Sequence, residues 1–258
     1  MDFLLLFFII RAHRKIEGHC KHQTIYMERN QRRKYTRFME KTIHAAIFDF
    51  NGTLVLDHPY HVKAWSQISR QIRGRDITEE ELHTKMNGKC NVDIVGYLSN
   101  GTTTKEEAEE ISLKKEALYR QIFEKDHANF HLVQGAERLF DDLKAEGIPF
   151  TIASASIKPN IDFFVKSFHL DHWIDPAMIV YDDGLHADKV SMFHDAAKNL
   201  NMPLDQITVF EDSITGIQAA LDAGVQDIRI LDSANVSEQL HDLPQIRQIV
   251  HNFDDITR

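Results

Sequence analysis

The chain has 258 residues, 43% hydrophobic and 27% charged, and a formal net charge of -9. This balance fits a soluble globular protein of one large domain or two linked ones, and the acidic surplus excludes the basic field on which a nucleic-acid binder depends. The two cysteines, Cys20 and Cys90, are too few for a disulfide framework or a cysteine-ligated metal cluster, and suit a reducing cytoplasm.

Residues 1–38 do not match the rest. "MDFLLLFFIIRAHRK" opens with an apolar run, Phe3 to Ile10, far short of the roughly 20 residues that a spanning helix needs. Asp2 precedes the run and Arg11, His13, Arg14 and Lys15 follow it, the reverse of a secretory signal. The expectation is a dispensable extension ahead of a start at Met39. The alternatives are a membrane-surface anchor or a structural arm.

From residue 43 the pattern becomes regular. "IHAAIFDF" is a short buried-type strand, followed by the turn "NGT". Residues 58–132 contain no strand pattern and predict helices near 59–73, 78–86, 91–99 and 104–126. Thr78 with Glu81 and Thr104 with Glu107 form capping boxes at two of the helix starts. Beyond residue 133 a helix is signalled by Leu139, Phe140 and Leu143 and stopped by Gly147 and Pro149. Strands are predicted at "FTIASAS", "AMIVYDDG", "ITVFEDS" and "VQDIRIL", separated by helices at "DKVSMFHDAAKNLNMP" and "SITGIQAALDAG". Strands alternating with helices imply βαβ units: an α/β fold with a doubly wound, Rossmann-like parallel sheet. The expected division is a core of 39–57 and 133–258 with an α-helical cap, 58–132, inserted at the carboxyl end of the first strand, where ligands bind in open parallel sheets.

Four polar points fall at carboxyl ends of strands: Asp49, Ser154, the region of Lys189, and Glu211–Asp212. This topology can gather them in one crevice. Three carboxylates together call for a divalent cation, and oxygen-only ligands favour Mg²⁺. Ser154 and a lysine suit a phosphate, and a carboxylate with one free oxygen can act as a nucleophile.

"DFNGT", "ASAS", a downstream lysine and "FEDS" followed by a Gly/Ala-rich helix together resemble the haloacid dehalogenase superfamily, in its β-phosphoglucomutase-like branch with a helical cap. The resemblance covers roughly residues 43–232. It implies that Asp49 becomes an aspartyl-phosphate. The main-chain carbonyl of Asn51, Asp212 and Glu211 would complete the metal shell with Asp49. Thr53, Ser154 and Ala155 would hold the phosphate, and Lys189 would bridge nucleophile and phosphate. Gly52 would permit the turn, and Gly216 a close approach of helix to sheet. His61 matches a histidine at the start of the cap, and Lys89 lies in what resembles the substrate-contacting cap loop. Trp65 is expected in the cap core.

Two features depart from the family pattern. "GLHADKVSMF" around Lys189 lacks the usual prolines and is about two residues shorter. Asn51 stands where the family has the aspartate that works as general acid and base, help commonly worth about 10²–10⁴-fold in rate. An amide cannot titrate, so the role is either lost or moved to a residue such as His61 or Lys89. The implied activity is Mg²⁺-dependent hydrolysis of a small phosphorylated metabolite, with a sugar phosphate as one candidate. The implied form is a monomeric cytoplasmic enzyme without nucleic-acid or membrane partners. The alternatives are a mutase, a phosphonatase-like hydrolase with Lys89 as Schiff-base lysine, and a phosphate-ligand sensor without turnover.

Overall fold

The computed structural model describes residues 43–233 and 243–257, so the extension expected at 1–38 lies outside the described residues. Six strands form one parallel sheet: β1 (Ala46–Phe48), β2 (Phe150–Ile157), β3 (Val180–Asp182), β4 (Thr208–Glu211), β5 (Asp227–Leu231) and β6 (Ile246–Val250). Their order is β3-β2-β1-β4-β5-β6, with Phe48 opposite Ile152 on one side and Phe210 on the other. The sequence pattern did not disclose β6, a strand with half-exposed positions at the sheet edge. The other strands lie within the predicted stretches or extend one residue beyond them.

Period-two alternation loads both faces. Ala46 and Phe48 point into an aromatic-rich core, whereas Ala45 and Ile47 point into an aliphatic one with Phe193, Val209 and Ile217. In the first core the Phe48 ring stacks on Phe210 at 4.5 Å and meets Phe140 edge-on at 5.1 Å. Burying each such side chain is worth roughly 1.5–3 kcal/mol, which makes β1 the fixed centre of the sheet.

After β1 the chain turns at Gly52, with φ of +87°, and enters the helical insertion. Its long elements are α1 (His58–Arg73), α2 (Asn91–Leu98) and α3 (Lys105–Glu124). Both predicted capping boxes are present, at Thr78 and Thr104. The helix expected over 78–86 is instead one α-turn, Glu79–Glu81, running into a π-turn at Leu82–Met86. Trp65, Ile68, Met86, Ile94, Val95 and Leu98 form a separate small core, so Trp65 belongs to the interior of the insertion. The chain then returns to α4 (Ala136–Ala145), α5 (Lys158–Phe168), α6 (Lys189–Leu200) and α7 (Ile214–Asp222), which flank the sheet. The architecture is a Rossmann-like parallel sheet carrying an inserted helical cap.

Candidate active site

Asp49 leaves β1 at its carboxyl end, its N–H held by the carbonyl of Phe210 at 2.9 Å. Glu211 and Asp212 end the adjacent strand β4, so in-register pairing brings the three carboxylates together. Oxygens of the three lie within 4.8 Å of one another. Lys189, in the first turn of α6, donates to Asp49 Oδ1 at 2.5 Å and also to Glu211 Oε1. Asp188 sets that position: it caps α6 through a reciprocal pair with Ser191.

The electrostatics are those of a site short of positive charge. Burial raises Asp49 well above the usual carboxylate range; Lys189 opposes this, while Glu211 and Asp212 add to it. Burial and the Glu211 charge push Asp212 up to about 7. Burial disfavours the Lys189 ammonium, but the Asp49 and Glu211 carboxylates more than offset this and raise its pKa. One ammonium against three carboxylates leaves the cluster in need of a further cation, and its all-oxygen donors suit Mg²⁺.

Two glycines make room for these carboxylates. A Cβ on Gly52 would lie 2.2 Å from Asp212 Oδ2, and one on Gly216 would lie 2.0 Å from Glu211 Oε1. Glu211 is buried and its Oε2 accepts from the N–H groups of Asp212 and Ser213, so it cannot easily swing away. Gly216→Ala should therefore lower stability by about 1–3 kcal/mol, the usual range for overpacking. Thermal unfolding would show it as a lower Tm; an unchanged Tm would mean that Glu211 is not held as described.

The other predicted residues fall as follows. Ser154, at 1% exposure, ends the regular part of β2, and its Oγ faces Asn51 Oδ1 at 3.3 Å. Ala155 lines a cavity together with Ser154 and Asp49. The Thr53 hydroxyl is fully buried and donates to Asp212 Oδ1 at 3.0 Å. His61 stacks on Tyr119 at 3.8 Å, while its Nδ1 meets Lys115 Nζ at 2.7 Å and its Nε2 lies 3.4 Å from Asp57 Oδ2. Lys89 is exposed on the cap turn after Met86.

A cavity of about 1030 Å³ lies between strand ends and cap, lined by Asp49, Asn51, Ser154 and Lys189 from one side and by His61, Lys89 and Lys115 from the other.

Sequence reasoning missed two groups. The first is the buried pair Lys115 and Glu116. Glu116 accepts from Lys115 at 2.8 Å, from Asn91 at 2.7 Å and from Asn160 of α5 at 2.8 Å. Burial raises Glu116, but Lys115 and His61 outweigh it and hold it at about 2. Burial lowers Lys115, partly countered by Glu116. The available signal was spacing: Ala108, Ser112, Lys115, Tyr119 and Phe123 share one buried helical stripe. The second is Asp57, 1% exposed. Burial pushes its carboxyl up, but hydrogen bonds from His61, Tyr119 and Asn51 hold it below the usual range.

The sequence profile of the haloacid dehalogenase-like hydrolases matches residues 46–230. The chain belongs to this family. A solved haloacid dehalogenase hydrolase of family IA, variant 3, from Entamoeba histolytica is 33% identical with a TM-score of 0.77, over 83% of this chain and 95% of that one. A β-phosphoglucomutase from Clostridium difficile shares the fold, at 22% identity and TM-score 0.65, over 84% and 94% of the chains. Among haloacid dehalogenase-like relatives, the 6-phosphogluconate phosphatase of Escherichia coli is 25% identical, over 71% of this chain and 80% of its own. The chain matches only 32% of the length of the bifunctional riboflavin kinase/FMN phosphatase of Arabidopsis thaliana, at 31% identity. The phosphatase names of these relatives agree with the enzyme class expected for a haloacid dehalogenase-like hydrolase. Among the described residues, no helix is long and apolar enough to cross a membrane.

Proposed function

We propose that this chain is a Mg²⁺-dependent phosphatase of small phosphomonoesters, sugar phosphates included, acting through an aspartyl-phosphate on Asp49. The observation that carries the reading is Lys189 bridging Glu211 and Asp49 within a three-carboxylate cluster that presents Asp49 and Lys189 to a large cavity. Asp49, Asp212 and the main-chain carbonyl of Asn51 would hold the cation, with Glu211 directly or through water. Once bound, the cation supplies positive charge against the phosphoryl oxygens.

The residues of the chain do the rest. Lys189 opposes the protonation of Asp49 that burial favours and neutralises the phosphoryl group that approaches it. The Ser154 hydroxyl, turning its one hydrogen from Asn51 Oδ1 to the substrate, and nearby main-chain N–H groups hold the phosphate oxygens. A lone pair of Asp49 Oδ2 forms the new O–P bond as the ester P–O bond breaks, and the leaving oxygen takes its proton from water. Water then attacks phosphorus, the Asp49 O–P bond breaks, phosphate leaves and the carboxylate is restored. His61 and Lys115 face the cavity and hold the substrate's distal hydroxyls. The working form is a monomer in the cytoplasm, where the exposed Cys90 thiol stays reduced.

Asn51 favours a second reading, a phosphate-ligand sensor, because an amide supplies no proton. It also weighs against a mutase, which must move protons at two sugar oxygens. The test is phosphate release from p-nitrophenyl phosphate, glycerol 3-phosphate and 6-phosphogluconate with Mg²⁺, combined with mass spectrometry of acid-quenched protein. Release, with a phosphoryl adduct on the Asp49 peptide, is expected. Saturable phosphate binding without release from any substrate would replace the enzyme by the sensor.

A further inference from the structure

Position 51 has no carboxylate, but a carboxylate lies against it. The Asn51 Nδ2 donates to Asp57 Oδ2 at 2.5 Å, and the Tyr119 hydroxyl donates to the same oxygen. An ionised carboxylate only accepts, so the amide nitrogen must face Asp57 and the amide oxygen must face the other way. There the Ser154 hydroxyl donates to Asn51 Oδ1 at 3.3 Å, and Ser154 in turn accepts the Ser156 N–H at 3.2 Å. The donors thus converge on Asp57 from two sides: Tyr119 on α3 donates to it directly, and from the end of β2 Ser156 N–H, Ser154 and Asn51 donate in turn toward it. Each bond in that series fixes the sense of the next.

We propose that Asp57 is the positioning residue of this site: it locks the Asn51 amide with its oxygen toward Ser154 at the cavity wall, and the two residues form one donor–acceptor unit that cannot be altered one member at a time. For its kinetic consequences this rests on the phosphatase reading. Position 51 then offers a fixed acceptor that can orient a water or a substrate hydroxyl but gives no proton. The favoured substrates are phosphoryl compounds whose leaving oxygen departs as a stable anion, such as aryl and enol phosphate esters or acyl phosphates. A carboxylate placed at 51 would meet that of Asp57 at hydrogen-bond distance, where two anions must share one proton or separate. If Asp57 became an amide at the same time, the bond to position 51 would keep its place and reverse its sense, the Tyr119 hydroxyl would accept from the amide where it had donated, and the total charge would be unchanged.

The test is a four-cornered set: wild type, Asn51→Asp, Asp57→Asn and the double variant. Each is measured at pH 8 with Mg²⁺ for Tm and for kcat and KM on p-nitrophenyl phosphate and glycerol 3-phosphate. Asn51→Asp should lower Tm by about 5 °C, the effect of a lost charged hydrogen bond in a domain of this size. It should also be no faster than wild type on either substrate. Asp57→Asn should lower kcat about threefold with KM nearly unchanged, because a neutral amide still accepts but more weakly. The double variant should regain the wild-type Tm. It should exceed wild-type kcat on glycerol 3-phosphate by about tenfold or more, with little gain on p-nitrophenyl phosphate, since its carboxylate can now carry the proton. Effects that simply add across the set would overturn the coupling, as would an Asn51→Asp protein that is both stable and faster than the double variant. A coupled Tm with an unmoved ratio of the two substrates would make Asp57 structural only and overturn the positioning role. No turnover by any of the four would remove the phosphatase reading, and the Tm cycle would still decide whether the two residues act as one.

Discussion

Asp49→Ala is expected to abolish phosphate release, with a loss in kcat of about 10³-fold or more, because the nucleophile is the one group without which no covalent intermediate forms. The fold should survive it. Burial pushes the Asp49 carboxyl well above its usual range, so the folded chain disfavours the ionised form in the absence of a cation. A side chain that cannot ionise at this position adds nothing to the repulsion between Glu211 and Asp212. The isosteric Asp49→Asn should accordingly show an undiminished Tm in metal-free buffer alongside the same loss of turnover. Lys189→Met separates the two effects from the other side. It keeps the nucleophile but leaves three carboxylates without the ammonium that touches two of them, so both Tm and kcat should fall. Assays with p-nitrophenyl phosphate, paired with thermal unfolding, measure all three. If Asp49→Asn retained wild-type turnover, the nucleophile would have to be sought elsewhere.

The sequence disclosed most of the sheet because its inner strands are buried on both faces and their apolar runs end in polar residues. "IFDF" and "VFED" lie side by side, and the carboxylates that follow them meet because parallel register carries one strand end to the next. Edge strand β6 was hidden because Ile246, Gln248 and their neighbours are half-exposed and mix polar with apolar residues. Lys189 was legible as the downstream lysine of the family pattern at the start of a predicted helix, and the structure caps that helix with Asp188 and Ser191. The role of Asp57 could not. In "LVLDHP" it reads as a turn residue before a helix, and its partner Tyr119 lies 62 positions away on another helix. For Thr53, the spacing after Asp49 is legible, but the turn that directs its hydroxyl to Asp212 is a three-dimensional fact. Local chemistry at strand ends is written in short motifs, whereas the network that orients it is assembled from distant segments.

Chelation should silence the enzyme and Mg²⁺ should restore it, and the same ion should stabilise the fold by an amount that grows with pH. Burial and the Glu211 charge push Asp212 up to about 7, against about 3.9 for an aspartate in an unfolded chain. Between those values the folded, metal-free chain binds more protons than the unfolded one. Its stability therefore falls as pH rises through this window and levels off above about 7. A cation at Asp212 takes the place of that proton, so Mg²⁺ competes with protons below pH 7 and binds unopposed above it. Differential scanning calorimetry with and without Mg²⁺ should show a small rise in Tm at pH 5.5 and a larger one at pH 8. Asp212→Asn should flatten the pH dependence of the metal-free protein and remove both the Mg²⁺ shift and the turnover. Ca²⁺ should restore less activity than Mg²⁺, because its looser and higher coordination does not hold the nucleophile and phosphoryl group in line. Full turnover in excess chelator would exclude the cation and leave Lys189 as the sole counter-charge to the phosphoryl group.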